Sequence, residues 1–187
     1  MGKSIVGTAI GKVIPQAYIG AKSKDLTSDP FIWEEVNEKI ENVFIDDARA
    51  NVDFEFFFPV ITGQMTINVK GMKKSTLPEP QTPKLFFTTN HAINGNSPSF
   101  KDRQFLIAFS DWYNETHKPI DDFGVNFFTE WDEKQWTLFY NFMASCLQLY
   151  FKAQSLGWGV NRSGLIAAPT ERLELRRMLQ FIGMNIS

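Results

Sequence analysis

The 187-residue chain reads as an α/β protein with a largely parallel sheet and helices on both faces. Three observations predict this class. Helical patterns and apolar strand-like runs alternate along the chain. The runs "NVFI" and "KLFFTT" carry too few charges for either face to meet water. Both runs end in polar residues, Asp46-Asp47 and Asn90, which is where ligands bind in open α/β sheets.

The elements follow in order. Lys3 to Val13 predicts a helix with small residues Gly7, Ala9 and Gly11 for close packing, stopped by Pro15. "QAYIGA" is a short apolar strand between turn formers. "TSDPFIWEEVNEKI" predicts a helix, with Ser28 or Asp29 as cap, Pro30 in its first turn, and Phe31, Trp33, Val36 and Ile40 near helical spacing. "NVFIDDARA" is a strand that stops at two aspartates, and "FEFFFPVITG" is a short aromatic helix or an extended segment. "MTINVKGMKKSTLP" alternates about Gly71 and predicts a hairpin. "PKLFFTTN" and "RQFLIAFSD" predict two further strands. Asp132 to Phe151 carries Trp136, Phe139, Tyr140, Met143, Leu147 and Tyr150 at helical spacing, which makes them core residues of a long helix. Residues 155–168 read as a Gly-containing loop, and "TERLELRRMLQFI" as a basic amphipathic helix.

Composition narrows the classes. Hydrophobic residues make up 43%, including 18 Phe and 5 Trp, enough for a substantial core. A net charge of −2 argues against disorder and against a globally basic nucleic-acid binder, and leaves room for a local basic patch. The single cysteine, Cys146, excludes an internal disulfide and reads as an inert core thiol. His91 and His117 stand far apart and read as loop residues rather than zinc ligands. No run approaches the ~20 apolar residues of a membrane span, and the N-terminus lacks a signal-peptide core, so a cytoplasmic protein is expected.

The chemistry is carried by three polar positions. Gly2-Lys3-Ser4 has the form in which a phosphate-binding loop, G-x-x-x-x-G-K-[ST], ends. Backbone N–H groups at the following helix would cradle phosphate, with Lys3 on the β and γ oxygens. Ser4 and Asp46 would hold Mg²⁺, Asp47 would polarise the attacking water, and Asn90 would orient it or sense the γ-phosphate. Each signal has a plainer reading alone: a chance tripeptide, a solvated turn or helix cap, a strand-end turn residue. Their order and their spacing of about forty residues make a demanding pattern.

The segments "GKSIVGTAIGKVI", "NVFIDDA", "VITGQMTINVKGMKKSTLP", "PKLFFTTN" and "SFKDRQFLIAFSDWYN" resemble the superfamily 3 helicase domain of phage and poxvirus-type primase–helicases. The resemblance runs through "DDFGVNFFTEWDEKQWTLFYNFMASCLQLY" and covers roughly residues 2–151. It implies an AAA+-like P-loop NTPase, a hexameric ring, movement along single-stranded DNA, and a primase domain or partner. By that resemblance Gly2, Lys3 and Ser4 match the end of Walker A, Asp46 and Asp47 match Walker B, and Asn90 matches the sensor of motif C. Lys70, Lys73 and Lys74 match the hairpin that grips DNA in the ring's pore. Without the resemblance they suit a solvated edge that discourages aggregation better than a grip on DNA. Arg103 is the candidate to reach a neighbour's γ-phosphate, with Arg49 a weaker alternative. Relatives often carry two consecutive arginines where this chain has Asp102-Arg103.

Met1 stands directly before Gly2, so most of the G-x-x-x-x run and the central first strand are expected to be missing. The expectation is a fragment with impaired nucleotide binding: a P-loop ATPase core over 1–114, a helical continuation over 115–154, and a linker with the start of a further helical segment over 155–187. The function expected is that of an ATP- and Mg²⁺-dependent DNA helicase of phage or prophage replication. The alternatives are a non-catalytic ATPase-fold assembly module and an AAA+ helicase loader.

Overall fold

In a computed structural model, the described residues are 2–21, 25–50, 52–93, 97–155, 160–161 and 164–165. The chain divides into two compact units, Met1–Arg103 with Phe109–Lys118, and Gln104–Ala108 with Pro119–Ser187.

The first unit is built on a three-stranded parallel sheet. Helix α1 (Lys3–Gly11) leads into β1 (Gln16–Gly20), which pairs in parallel with β2 (Asn42–Ala48). On its other side β2 pairs in parallel with β5 (Lys84–Thr89), so β2 is the middle strand. Between them lie a 3₁₀ turn (Phe54–Phe57), the short helix α2 (Phe58–Ile61), and the antiparallel hairpin β3 (Met65–Ile67) and β4 (Ser75–Leu77). Helix α3 (Pro98–Asp102) is capped by the Ser97 hydroxyl, which accepts from the Phe100 amide at 3.1 Å.

Side chains alternate across the sheet with the period of two that a strand dictates. Tyr18, Phe44 and Phe86 form a row of ring contacts at 5.5 Å spacing, and Gly7 of α1 lies on the Phe44 ring. Their neighbours Ala17, Ile19, Val43 and Ile45 enter the opposite core with Leu26, Trp33, Phe57 and Met65. Val43, Ile45, Phe57 and Met65 are fully buried, each worth about 1.5–3 kcal/mol of transfer free energy. The core-facing row carries no charge because it is buried, whereas on the α1 face Phe44 is buried and Tyr18 remains 55% exposed.

Two predicted elements differ. Residues 26–40 form successive turns rather than a helix: Glu34 N bonds Phe31 O, Val36 N bonds Trp33 O, and Ile40 N bonds Asn37 O, each at 3.0 Å. Side-chain oxygens of Asp29 and Asn37 take the amides of Phe31 and Lys39, which offers the backbone an alternative to the helical ladder. The turns still bury Ile32, Trp33 and Val36. The strand expected over "RQFLIAFSD" is also absent, since residues 104–110 adopt no regular structure and Phe105, Leu106, Ile107 and Phe109 are exposed. An apolar run without a neighbouring strand has no ladder to join.

The second unit holds α4 (Pro119–Phe123), the 23-residue helix α5 (Glu133–Ser155) and a two-residue-per-strand hairpin, β6 (Val160–Asn161) with β7 (Gly164–Leu165), inside the segment expected to be loop. A reciprocal capping box starts α5: Gln135 N donates to Asp132 Oδ1 and Asp132 N to Gln135 Oε1, both at 2.9 Å. Phe128, Trp131, Trp136 and Phe139 pack together with centroids 4.7 to 6.1 Å apart. Farther along, Tyr140, Leu147 and Tyr150 are exposed, as are Phe142 and Phe151, so the expected core stripe is not buried. Cys146 is exposed too, which corrects its reading as a core thiol, although partial burial pushes its pKa above the ordinary value. The basic helix expected over "TERLELRRMLQFI" lies outside the described residues. Among the described residues no helix is long and apolar enough to cross a membrane.

Candidate functional site

The polar tips of β2 and β5 meet the first turn of α1. Gly2 is the N-cap residue of α1, with φ +97, a left-handed conformation that glycine adopts without a Cβ penalty. Lys3 and Ser4 follow in the first turn. The Lys3 ammonium donates to the Thr89 carbonyl at 2.7 Å and to Asn90 Oδ1 at 2.5 Å. The Ser4 hydroxyl donates to Asp46 Oδ1 at 2.7 Å. Asn90 Nδ2 in turn donates to Asp47 Oδ1 at 3.1 Å. Six of the predicted residues, from three separate stretches of sequence, are thus joined side chain to side chain or share the one cap.

Strand geometry explains how both aspartates take part. Asp46 has the parity of Phe44 and belongs on the α1 face. Asp47 would fall on the core face with Val43 and Ile45 if the strand ran on regularly. It does not, because the register with β5 shifts between Ile45 and Ala48: Ile45 opposes Phe87 and Ala48 opposes Thr89. Three steps on β2 match two on β5, the signature of a β-bulge. Ala48 therefore takes up the core position, 1% exposed, and Asp47 is left outside the core with φ +58. Non-glycine residues rarely hold such a φ, and aspartate is among those that tolerate it.

Two residues that the sequence reading passed over complete the arrangement. Thr88 on β5, 4% exposed, accepts from the Asp47 amide at 2.9 Å and donates to Asp46 Oδ1 at 2.5 Å. Tyr18 on β1 donates its hydroxyl to Asp46 Oδ2 at 3.3 Å. Burial first, then the neighbouring Asp46 charge, pushes the Tyr18 phenol above its ordinary pKa of 10.0. Neither residue carries a sequence signal of its own, since threonine and tyrosine are ordinary strand formers.

The remaining candidates lie apart from this cluster. Arg103 ends α3 rather than beginning a strand. Its Nη1 donates to the Ser99 carbonyl at 2.9 Å and to the Ser99 hydroxyl, and its guanidinium stands 5.0 Å over the Phe58 ring. Lys70, Lys73 and Lys74 are all exposed in the loop between β3 and β4, where Gly71 has φ +78. His91 follows β5 and His117 packs edge-on against Trp112 at 5.0 Å, both in loops as expected.

The donor set suits a hard cation only in company. Among the described residues there is no group of three or more His, Cys, Asp or Glu placed to hold a metal. A hydroxyl and a carboxylate oxygen 2.7 Å apart match the sparse protein ligation typical of Mg²⁺, whose other ligands are water and phosphate oxygens. The residues fit that ion bound together with a phosphate, and do not form a free-standing metal cage. No family model, no curated protein and no solved structure matches the chain.

Proposed function

We propose that the chain is the nucleotide-hydrolysing core of a phage-type DNA helicase, of the superfamily 3, AAA+-like P-loop class. The observation that carries this reading is the junction of Lys3 and Ser4 with Asn90 and Asp46 across the strand tips. A cation, a hydroxyl, two carboxylates and an amide gather at the start of one helix, whose free amides and Lys3 favour an anion while the carboxylates call for a cation beside it.

Each residue has a role in this reading. Lys3 exchanges Thr89 and Asn90 for the β and γ oxygens of ATP, a charge-assisted contact. Ser4 and Asp46 hold Mg²⁺, which neutralises phosphate charge when bound. Asp47 orients and polarises water, and Asn90, already bonded to both Lys3 and Asp47, links occupancy of the phosphate position to that carboxylate. Lys70, Lys73 and Lys74 meet the phosphates of single-stranded DNA, a sequence-independent task. Arg103 would leave Ser99 and Phe58 to reach a neighbouring subunit in a hexameric ring.

The test is titration of the chain with ATP, with and without Mg²⁺, followed by phosphate release. Lys3→Ala is expected to weaken ATP binding about 10- to 100-fold, the equivalent of losing hydrogen bonds to a charged group. Asp46→Ala is expected to remove the Mg²⁺ dependence and the hydrolysis. A folded Lys3→Ala protein that binds and hydrolyses ATP as the parent does would overturn the reading. A native-length protein that folds and oligomerises without hydrolysing nucleotide would instead be a non-catalytic assembly module.

A further inference from the structure

We infer that Thr88 is a positioning residue whose hydroxyl pins the β2 bulge and so holds Asp46 and Asp47 together on the α1 side of the sheet. The inference rests on the phosphate and Mg²⁺ reading for its consequence, and on geometry alone for the pin itself.

The bulge has a cost and needs something to hold it. An L-residue in the left-handed region costs about 1–2 kcal/mol, and Asp47 stands there with φ +58. The extra residue also takes one amide out of the regular ladder. That amide belongs to Asp47, and the Thr88 hydroxyl accepts it at 2.9 Å. A hydroxyl has one proton to give, and Thr88 gives it to Asp46 Oδ1 at 2.5 Å. One oxygen therefore satisfies the backbone of the second aspartate and the side chain of the first.

The environment makes this bond count. Thr88 is 4% exposed, so water does not readily replace either partner. Its position opposite the bulge also fits. Ile45 pairs with Phe87 and Ala48 with Thr89, leaving Thr88 as the one β5 residue facing both aspartates. Ser4 donates to the same oxygen of Asp46 that Thr88 does. The Thr88 hydroxyl thus fixes the carboxylate that Ser4 shares, and partners of this outer kind typically govern 10- to 100-fold of metal affinity.

The experiment compares the full chain with Thr88→Val, which keeps shape and loses the hydroxyl, and Thr88→Ser, which keeps the hydroxyl. Two readouts are taken: hydrogen exchange of the Asp47 amide by NMR, and binding of a fluorescent ATP analogue with and without Mg²⁺. In Thr88→Val the amide is expected to exchange about tenfold faster. Mg²⁺-dependent binding should fall roughly 10- to 100-fold while Mg²⁺-free binding is unchanged. Thr88→Ser should match the parent in both. A merely structural threonine would move both kinds of binding together. Parent-like amide exchange in a folded Thr88→Val protein would overturn the pin. If the parent chain shows no Mg²⁺-dependent binding, the functional reading fails and amide exchange still decides the pin. Should Thr88→Val not fold, Thr88→Ala against Thr88→Ser isolates the hydroxyl in the same way.

Discussion

Gly7 of α1 rests directly on the ring of Phe44, so close that a Cβ at position 7 would lie 2.4 Å from Phe44 Cζ. The ring has no room to yield, being 2% exposed and wedged between Tyr18 and Phe86 at 5.5 Å each. The contact sets how near the helix lies to β2. Gln16 secures the same approach by donating to the Gly7 carbonyl at 3.0 Å. Because Lys3 and Ser4 stand one turn before Gly7, that separation also sets their reach to Asn90 and Asp46.

Gly7→Ala is therefore expected to lower stability by about 1–3 kcal/mol, the usual cost of overpacking a filled site. Nucleotide binding should fall with it, because the helix start is displaced from the strand tips. Phe44→Leu added to Gly7→Ala should return part of both losses by vacating the ring's position. Urea unfolding and ATP titration of Gly7→Ala, Phe44→Leu and the double variant check this, and additive losses in the double variant would show that the two residues do not share one space.

The strained residue makes a second prediction. Asp47→Gly removes the penalty of φ +58 and is expected to leave stability unchanged or raise it by up to about 1 kcal/mol. Asp47→Val, β-branched and unsuited to this region, should destabilise by more than that. On the proposed reading both should lose hydrolysis, since neither would have a carboxylate for water. A stabilised yet inactive Asp47→Gly protein would show strain held at a working residue. Melting temperature and phosphate release on the same samples decide it.

Much of this site was legible in the sequence for a simple reason. Lysine, serine, aspartate and asparagine stand at element ends, where a change from apolar to polar residues marks both the boundary and the chemistry. Asp46, Asp47 and Asn90 could be read in this way, and Gly2, Lys3 and Ser4 as the form in which a phosphate-binding loop ends. The bulge could not, because it is a relation between two strands, and "NVFIDDA" gives no sign that Asp47 would turn away from the core. Thr88 and Tyr18 went unseen for the same reason: each acquires its meaning from a partner 42 or 28 positions away. The three-stranded parallel sheet and the β3–β4 hairpin were readable from apolar runs and turn residues. The helix expected over "TSDPFIWEEVNEKI" failed because Asp29 and Asn37 cap turns as readily as they cap helices.

Alkaline pH probes the third partner of Asp46. The Tyr18 phenol, on a half-exposed residue, is raised above 10.0 by partial desolvation and by the adjacent Asp46 charge. The folded chain therefore holds this proton more tightly than the unfolded chain does. Its contribution is complete below pH 10.0 and is lost as pH rises through the folded value. Tyr18→Phe should remove this part of the decline, so that stability measured by urea falls less between about pH 9 and pH 11 in the variant than in the parent. Identical declines would mean that the phenol has no net coupling to the fold.

The hairpin lysines give a prediction that separates gripping DNA from discouraging aggregation. A lysine that neutralises a phosphate releases a counterion, and on single strands each such contact adds about 0.7 to the slope of log affinity against log salt. Replacing Lys70, Lys73 and Lys74 together by alanine should therefore lower that slope by about 2 and weaken binding of single-stranded DNA at low salt. The effect should be alike for different base sequences, because phosphate contacts carry no sequence information. ATP binding without DNA should not change, since all three lysines are exposed in the β3–β4 loop and none contributes to the Lys3–Asn90 and Ser4–Asp46 cluster. An edge that only repels other strands would give a different result: increased self-association with an unchanged salt slope. Measuring the slope and the sedimentation behaviour of one triple variant therefore distinguishes the two roles, and a parent-like slope would remove the hairpin from the DNA-binding reading.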